Sequence, residues 1–423
     1  MSLYTTSRIR TWRDCPRKHE FRYELGALAP STPAMSFGTD GHGVLEAWYR
    51  AWMRGCAACE GKGEVAVHVD ATHLDRIECE ECRGSGFNPA DRTAAAFAAI
   101  DAADLSDIDR AKLRVLAAAY DARWGGEPWE VLAVEAEFRY WLGDVEMGGK
   151  LDALVRDTST GAVYVVEHKF TASDFSPGSP YWAKLELDTQ ISVYHDGAAT
   201  AFDVEIAGCV YDVLKRPQHE LRLATPIDAR KYTVGKGCRK CGGSAKPGSV
   251  ERGKGTYTVT FTTVEIVTCD DCHGTGWKKD KDGVPEAPRL HSNQRTEDET
   301  LDEFTERLSG EIAERPDDFL ARSVIVRLGD ELPRMRQELI DTVSAMRVLA
   351  DAKLAPPNHG ACSQGRDMCG FFEVCAGRAS ITDFPRGAVH AELPSAQQEA
   401  DQAARDNRKA YAEYVKTAAS DAA

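Results

Sequence analysis

Thirteen cysteines in a chain of 423 residues constrain this sequence more than any other feature, because their spacing is not that of scattered core residues. Eight of them form four Cys-x2-Cys knuckles: Cys56 with Cys59, Cys79 with Cys82, Cys238 with Cys241, and Cys269 with Cys272. Two knuckles supply one tetrahedral set of four thiolates, so the pattern predicts two Zn²⁺ sites, with the choice of which knuckles share a metal left open. Of the rest, Cys15 stands near the start, Cys362, Cys369 and Cys375 near the end, and Cys209 alone in the apolar run Ile206–Val213, where it reads as a small buried side chain. Such a density fits a reducing compartment, where thiols bind metals rather than form disulfides. No run of some 18 apolar residues occurs and no charged-then-apolar leader opens the sequence, so a cytoplasmic protein without membrane spans is expected.

The knuckles lie in Gly-rich, charged stretches that interrupt more regular sequence. We read 56–88 and 232–285 as inserted zinc modules, and within the second, Thr256–Val267 as a hairpin arm. Gly41 to Met53 reads as a helix with Val44, Leu45, Trp48 and Trp52 on one face, and helices follow near 90–102 and 107–124. Val131–Trp141, Met147–Val155 and Ala162–Phe170 have strand composition, Pro180 to Phe202 suits one helix, and Val204–Leu214 a further strand. Helices resume at 298–314 and 330–353 around a strand at Phe319–Leu328; the tail beyond Pro385 is Ala-rich and charged. The expected class is α/β, with a central mixed sheet flanked by helices. The main domain would comprise 1–55, 89–231 and 286–385, with 386–423 as tail.

The sharpest chemical signal is Gly149-Lys150-Leu151-Asp152, followed by Glu167-His168-Lys169 at the end of the apolar run Val163–Val166. Glu167 and Lys169 share one face of a strand. If Asp152 ends the neighbouring antiparallel strand, the two carboxylates can meet around a hard cation such as Mg²⁺ or Mn²⁺, which takes carboxylates, waters and substrate phosphate oxygens. Lys169 could then orient or deprotonate an attacking water and offset developing charge. Gln190 and Tyr194 lie at i and i+4 on the next helix, and Gly38, His42 and Glu46 open the early helix, bringing an imidazole beside the carboxylates.

In this order the residues resemble the PD-(D/E)XK nucleases of the RecB-like branch, which includes the AddB nuclease domain and the iron–sulfur CRISPR-associated exonucleases. The resemblance rests on Phe37-Gly38-Thr39-Asp40-Gly41-His42, Asp152, Glu167-His168-Lys169 and Gln190…Tyr194. It implies a restriction-endonuclease-like core and metal-dependent DNA hydrolysis, more in the manner of an exonuclease than an endonuclease, in recombination, repair or phage DNA processing within a bacterial or phage-infected cytoplasm. It further implies that His42, Asp152, Glu167 and the carbonyl of His168 hold the metal, that Lys169 acts on the water, and that Gln190 and Tyr194 support the site or contact DNA. The Pro that usually precedes the first acidic residue is absent here.

The outer cysteines resemble the same branch's [4Fe–4S] staple, one early thiolate (Cys15) and three late ones (Cys362, Cys369, Cys375) tying the ends of the domain together. The six residues between Cys362 and Cys369 exceed the common two, and a Cys₄ zinc site is the competing reading. The knuckles from Cys56, Cys79 and Cys269 extend to Cys-x2-Cys-x-Gly-x-Gly and resemble the zinc module of DnaJ chaperones, although no His-Pro-Asp signature is present.

With a formal net charge of −15, nucleic-acid binding needs bound metal and a local basic rim. Arg8, Arg10, Arg13, Arg17, Lys18 and Arg22 provide one near the start; Arg8, Arg13, Arg17, Lys18 and Arg22 are the candidates for phosphate contact, with Lys215 and Arg216 weaker ones. Arg239, Lys240, Lys246, Arg252 and Lys254 make the second module basic, while Glu78, Glu80 and Glu81 make the first acidic. Gly248 to Lys254 imitates a phosphate-binding loop, but Gly255 replaces its Ser/Thr, so no helicase motor is read and a helicase or recombination protein is expected only as a partner, beside single-stranded DNA or DNA ends. The reading from another class is a non-catalytic multi-zinc DNA-binding or scaffold protein on a nuclease-like fold.

Overall fold

A computed structural model describes residues 3–56, 58–68, 74–81, 86, 88–232, 238–239, 271–273, 275, 277–285, 290–364, 367–389, 393–395 and 398. The elements that build the site are α1 (Thr6–Asp14), α2 (Pro33–Arg54), α3 (Pro89–Ala102), α4 (Asp107–Trp124), β1 (Trp129–Leu142), β2 (Val145–Asp157), β3 (Val163–Thr171), α5 (Thr189–Phe202), β4 (Ile206–Lys215), β5 (Leu320–Ile325) and α6 (Glu331–Asp351). The five strands form one sheet in the order β1-β2-β3-β4-β5. Only β3 and β4 pair in parallel; the other neighbours are antiparallel, so the sheet is mixed as the composition predicted. α5 supplies the crossover between the parallel pair, which a parallel connection requires. Residues on β2 to β4 are buried in near-continuous runs, and Leu151, Leu154, Val165, Val193 and Val213 sit in one core cluster with α5 and α6.

Two helices differ from their sequence reading. α2 begins at Pro33, eight residues before the predicted Gly41, because Thr32 caps it by accepting from the Met35 N–H and Pro33 fits the first turn. Its glycines conceal this, since glycine is a weak helix former. They serve a close approach instead: a Cβ on Gly41 would lie 2.4 Å from Cζ of Phe170 on β3. The second difference is at Pro180 to Phe202, expected as one helix. The chain makes a short helix at Pro180–Ala183 and a 3₁₀ turn at Lys184–Leu187, then restarts at Thr189 because the Asp188 carboxylate accepts from the Gln190 N–H at 2.7 Å.

α5 and α6 are joined by Arg336, which donates to both oxygens of the buried Asp196 at 2.7 and 2.8 Å. Burial opposes ionisation of Asp196, but hydrogen bonds from Arg336 and His195 outweigh it and hold the carboxyl below its ordinary value. A depressed acid contributes stability above its unfolded pKa, and that contribution is lost as pH falls through the folded one. Asp196→Asn should therefore cost about 1–2 kcal/mol at pH 7, discounted because Arg336 is partly in water. The loss should shrink as pH falls through the depressed carboxyl range; an equal loss at neutral and acid pH in urea titrations would refute the pairing account.

The chain divides into two compact units, residues 1–219 with 307–423, and residues 220–306. In the second, Arg222 and Glu299 exchange backbone and side-chain hydrogen bonds of 2.8–2.9 Å, and the Thr225 N–H donates to the Arg295 carbonyl at 2.9 Å. Cys238 and Cys272 are both buried there. Cys241, Cys269, Lys240, Lys246, Arg252, Lys254 and the expected arm at 256–267 lie outside the described residues, as do Cys82 in the first module and the tail from 399 onward. Among the described residues, no helix is long and apolar enough to cross a membrane.

Candidate functional site

The β2–β3 ladder stops at Ala153 opposite Val166. Beyond that pair the strands separate, and Asp152 and Glu167, next in line, stand on either side of the opening. The Asp152 carboxylate takes over from the missing ladder: its Oδ2 accepts from the His168 N–H at 2.7 Å, while Oδ1 lies 3.2 Å from His42 Nδ1. α2 delivers that imidazole because Gly41 lets it lie close on Phe170. His42 thus sits within the helix rather than at its opening, and Glu46, one turn on, is engaged with Arg50 at 2.8 Å.

Glu167 is buried, with Oε1 shared between the Lys169 ammonium and Gln190 Nε2, the latter at 2.9 Å. Gln190 also meets Tyr194 Oη at 2.9 Å and accepts from Lys169 Nζ at 3.3 Å. The Asp188 cap makes this contact, since it starts α5 where Gln190 turns toward β3. His42, Asp152, Glu167, Lys169, Gln190 and Tyr194, dispersed over 153 positions from 42 to 194, therefore form one constellation.

Burial opposes ionisation of Asp152, yet the imidazoles of His42 and His168 hold its carboxyl well below the usual range. Glu167 is pushed up, by burial first and by the Asp152 charge, with Lys169 offsetting part of it. Burial disfavours the Lys169 ammonium, but Glu167 prevails and raises it. Glu167 Oε2 is buried without a hydrogen-bond partner. A buried carboxylate oxygen left bare beside a second carboxylate and an imidazole is costly unless a cation faces it. The donors are oxygens plus imidazole, the chemistry that divalent Mg²⁺ or Mn²⁺ accepts. The ligand atoms of His42, Asp152 and His168 also lie within 4.8 Å of one another.

The four outer cysteines converge as well. Cys15, Cys362, Cys369 and Cys375 line one small cavity with Phe21 and Phe371. The longer Cys362–Cys369 interval is taken up by an antiparallel pair, Ser363–Gln364 with Asp367–Met368, that brings the Cys369 N–H to the Cys362 carbonyl at 2.8 Å. Burial and then the three neighbouring sulfurs push the Cys375 thiol up. Crowded sulfurs of this kind stay neutral unless a cation compensates them.

In the first module, the sulfurs of Cys56, Cys59 and Cys79 are buried and mutually within 4.8 Å, with Cys56 and Cys79 4.0 Å apart. Thiolates about 2.3 Å from a tetrahedral ion stand about 3.8 Å from each other. The knuckles pack through their glycines: Gly86 has φ +72°, and a Cβ there would meet the Gly61 carbonyl oxygen at 2.4 Å. This buried group can hold a metal.

The basic rim is only partly as expected. Arg8 is buried, bonded to the Leu3 carbonyl at 2.9 Å, His19 at 3.2 Å and Glu24 at 2.8 Å, so its guanidinium is not available to a phosphate. Arg17 and Arg22 donate to the carbonyls of Ala355 and Ala388, and Lys18 lines the cysteine cavity. Arg13 instead borders a cleft of about 550 Å³ that ends at Lys169 and Gln190, together with Arg10 and Lys184. Lys184 carries no sequence signal, because only the break before α5 aims it there.

No curated protein matches the sequence. The family model described as the PD-(D/E)XK nuclease superfamily matches residues 4–376, which takes in the whole constellation and both cysteine modules. A five-stranded mixed sheet with helices on it and an Asp/Glu/Lys constellation where β2 and β3 part is the arrangement a restriction-endonuclease-like nuclease needs. The chain belongs to the PD-(D/E)XK nuclease superfamily, whose members are metal-dependent nucleases.

Proposed function

We propose that this protein is a DNA exonuclease of the RecB-like, AddB-like iron–sulfur branch, acting in recombination, repair or phage DNA processing. The observation that carries the site assignment is the bare, buried Oε2 of Glu167 beside Asp152 and His42. In this reading His42, Asp152, Glu167 and the His168 carbonyl hold Mg²⁺ or Mn²⁺, which supplies Lewis acidity and an activated water. Lys169, kept protonated by Glu167, orients that water and offsets charge on the phosphate rather than removing a proton. Gln190 fixes both Glu167 and Lys169, and Tyr194 fixes Gln190. Arg10, Arg13 and Lys184 lead a strand through the cleft by phosphate contact, which reads no sequence.

Cys15, Cys362, Cys369 and Cys375 hold a [4Fe–4S] cluster in this reading, supported by their convergence from both ends of the nuclease domain. Cys56, Cys59, Cys79 and Cys82 hold one Zn²⁺, and Cys238, Cys241, Cys269 and Cys272 another. The nuclease domain comprises 1–55, 89–231 and 286–385, with modules inserted at 56–88 and 232–285 and a tail at 386–423. The compact unit at 220–306 supports the second insertion. A helicase or recombination partner would supply single strands or ends, and the thiol-rich ligand sets suit the cytoplasm.

The test is digestion of 5′- and 3′-labelled single and double strands with Mg²⁺. Progressive loss of one end label is expected, steeply weaker from 50 to 200 mM salt. Internal cuts without end dependence would overturn the exonuclease assignment. Retardation of DNA without Mg²⁺-dependent loss would instead establish a scaffold on a nuclease fold.

A further inference from the structure

On the other face of β3 from Glu167 and Lys169, the His168 imidazole enters a chain of buried polar side chains. Its Nδ1 lies 3.4 Å from Asp152 Oδ2, and its Nε2 lies 3.4 Å from Tyr120 Oη. Tyr120 donates to Asp212 Oδ2 at 2.6 Å, and Tyr49 Oη is 2.9 Å from Tyr120 Oη. Arg322 grips both Asp212 oxygens, Nε on Oδ1 at 2.5 Å and Nη2 on Oδ2 at 2.9 Å. Its guanidinium stacks between Trp124 at 4.1 Å and Trp129 at 4.6 Å. Tyr49, Tyr120, His168 and Asp212 are each at most 2% exposed.

Counting donors fixes the imidazole. Ionised Asp212 and Asp152 only accept, so Asp212 takes the Tyr120 proton, Asp152 takes the proton of the facing His168 Nδ1, and the Tyr120 oxygen accepts from Tyr49 O–H and from Arg322 Nη2–H at 3.3 Å. His168 Nε2 rests against Tyr120 Oη at 3.4 Å and Asp212 Oδ2 at 3.7 Å, and that seat directs Nδ1 at Asp152. The ring is wedged by Tyr49, with centroids 5.2 Å apart, and by Tyr120 at 6.1 Å. Asp152 thus has its Oδ2 set by the backbone N–H and the ring of one residue, and its Oδ1 by His42. A hydrophobic core of this shape would be cheaper to fold than a buried carboxylate, guanidinium and two phenols.

We propose that Tyr120, Asp212 and Arg322 are positioning residues: they hold the His168 imidazole, which sets the direction of the Asp152 carboxylate and hence the site's affinity for its divalent ion. The inference rests on the reading of Asp152 as a metal ligand. It assigns work to the side chain of a residue between Glu167 and Lys169 that otherwise contributes only its backbone, and to side chains from β4, β5 and α4 that touch no substrate. A purely structural network would lower thermal stability and leave ion binding alone.

The experiment is Mn²⁺ titration calorimetry on the full-length protein, wild type beside Tyr120→Phe, Asp212→Asn and Asp152→Asn, with cleavage rates followed against Mn²⁺ concentration. Tyr120→Phe keeps the ring and removes one hydroxyl. It should weaken Mn²⁺ binding by about 10- to 100-fold, as losing an outer-shell partner does. Its cleavage rate should recover at saturating Mn²⁺, with KM for DNA unchanged. Wild-type affinity in Tyr120→Phe, with binding lost in Asp152→Asn, would make the network structural and overturn the inference alone. Wild-type affinity in Asp152→Asn would remove the metal reading of that residue, and the inference with it. Should Asp212→Asn fail to fold, Tyr120→Phe decides by itself.

Discussion

Glu167→Gln is expected to reduce Mg²⁺-dependent DNA cleavage by about 10³-fold or more while leaving the protein at least as stable as the wild type without metal. Both halves follow from one observation. Glu167 is buried with one oxygen bare, and burial together with Asp152 pushes its carboxyl up, so ionised Glu167 is a cost to the empty fold. A neutral amide of the same shape removes that cost, in the manner of active-site residues that trade stability for activity. Lys169→Ala should lose about 10²- to 10³-fold in rate, because its ammonium then neither orients water nor offsets charge. Thermal melting in a chelator and end-label release with Mg²⁺ read the two halves separately. Unchanged cleavage in both variants would sink the assignment of the site.

Cys369→Ser should release the proposed [4Fe–4S] cluster and lower the melting temperature by about 6 °C. Cys15 and Cys362 are separated by most of the chain, yet line one cavity with Cys369 and Cys375. Cross-linking a loop of roughly 350 residues removes about 5–6 kcal/mol of unfolded-chain entropy on the simple loop model. Divided by the unfolding entropy of a protein of this size, about 0.9 kcal/mol/K, that value corresponds to a shift of about 6 °C. Anaerobically purified wild type should be brown and contain iron, and the variant should lose both. A colourless wild type with zinc in this site would replace the cluster by Cys₄ zinc and keep the stability prediction. Unchanged metal content and melting in Cys369→Ser would refute the staple altogether.

Much of the site was legible because its chemistry needs particular residue types in a particular order. Glu167-x-Lys169 after four apolar residues can only place both side chains on one face of a strand, and Gln190 and Tyr194 can only share one face of a helix. The sheet followed from composition, since β-branched runs between helical segments have few other uses. What failed was punctuation. The start of α2 was placed at Gly41 rather than Pro33 because propensity is counted without the neighbour that demands its glycines, Phe170. The restart at Asp188 was missed because a capping carboxylate inside a helical pattern resembles any exposed acid.

The residue types of the constellation and their order were thus legible in the sequence alone, as was the mixed sheet that presents them. The tertiary structure decided which charges are spent and which are left. Arg8 and Arg13 are alike in the sequence, but one is buried against Glu24 and the other borders the cleft. Asp212 is an isolated acid in an apolar strand, and only the folding of β5 and α4 against β4 gives it Arg322 and Tyr120 as partners. Local pattern records what each residue can do. Whether a charge is desolvated, paired or bare depends on groups a hundred positions away, and in a low-dielectric interior that difference sets its chemistry.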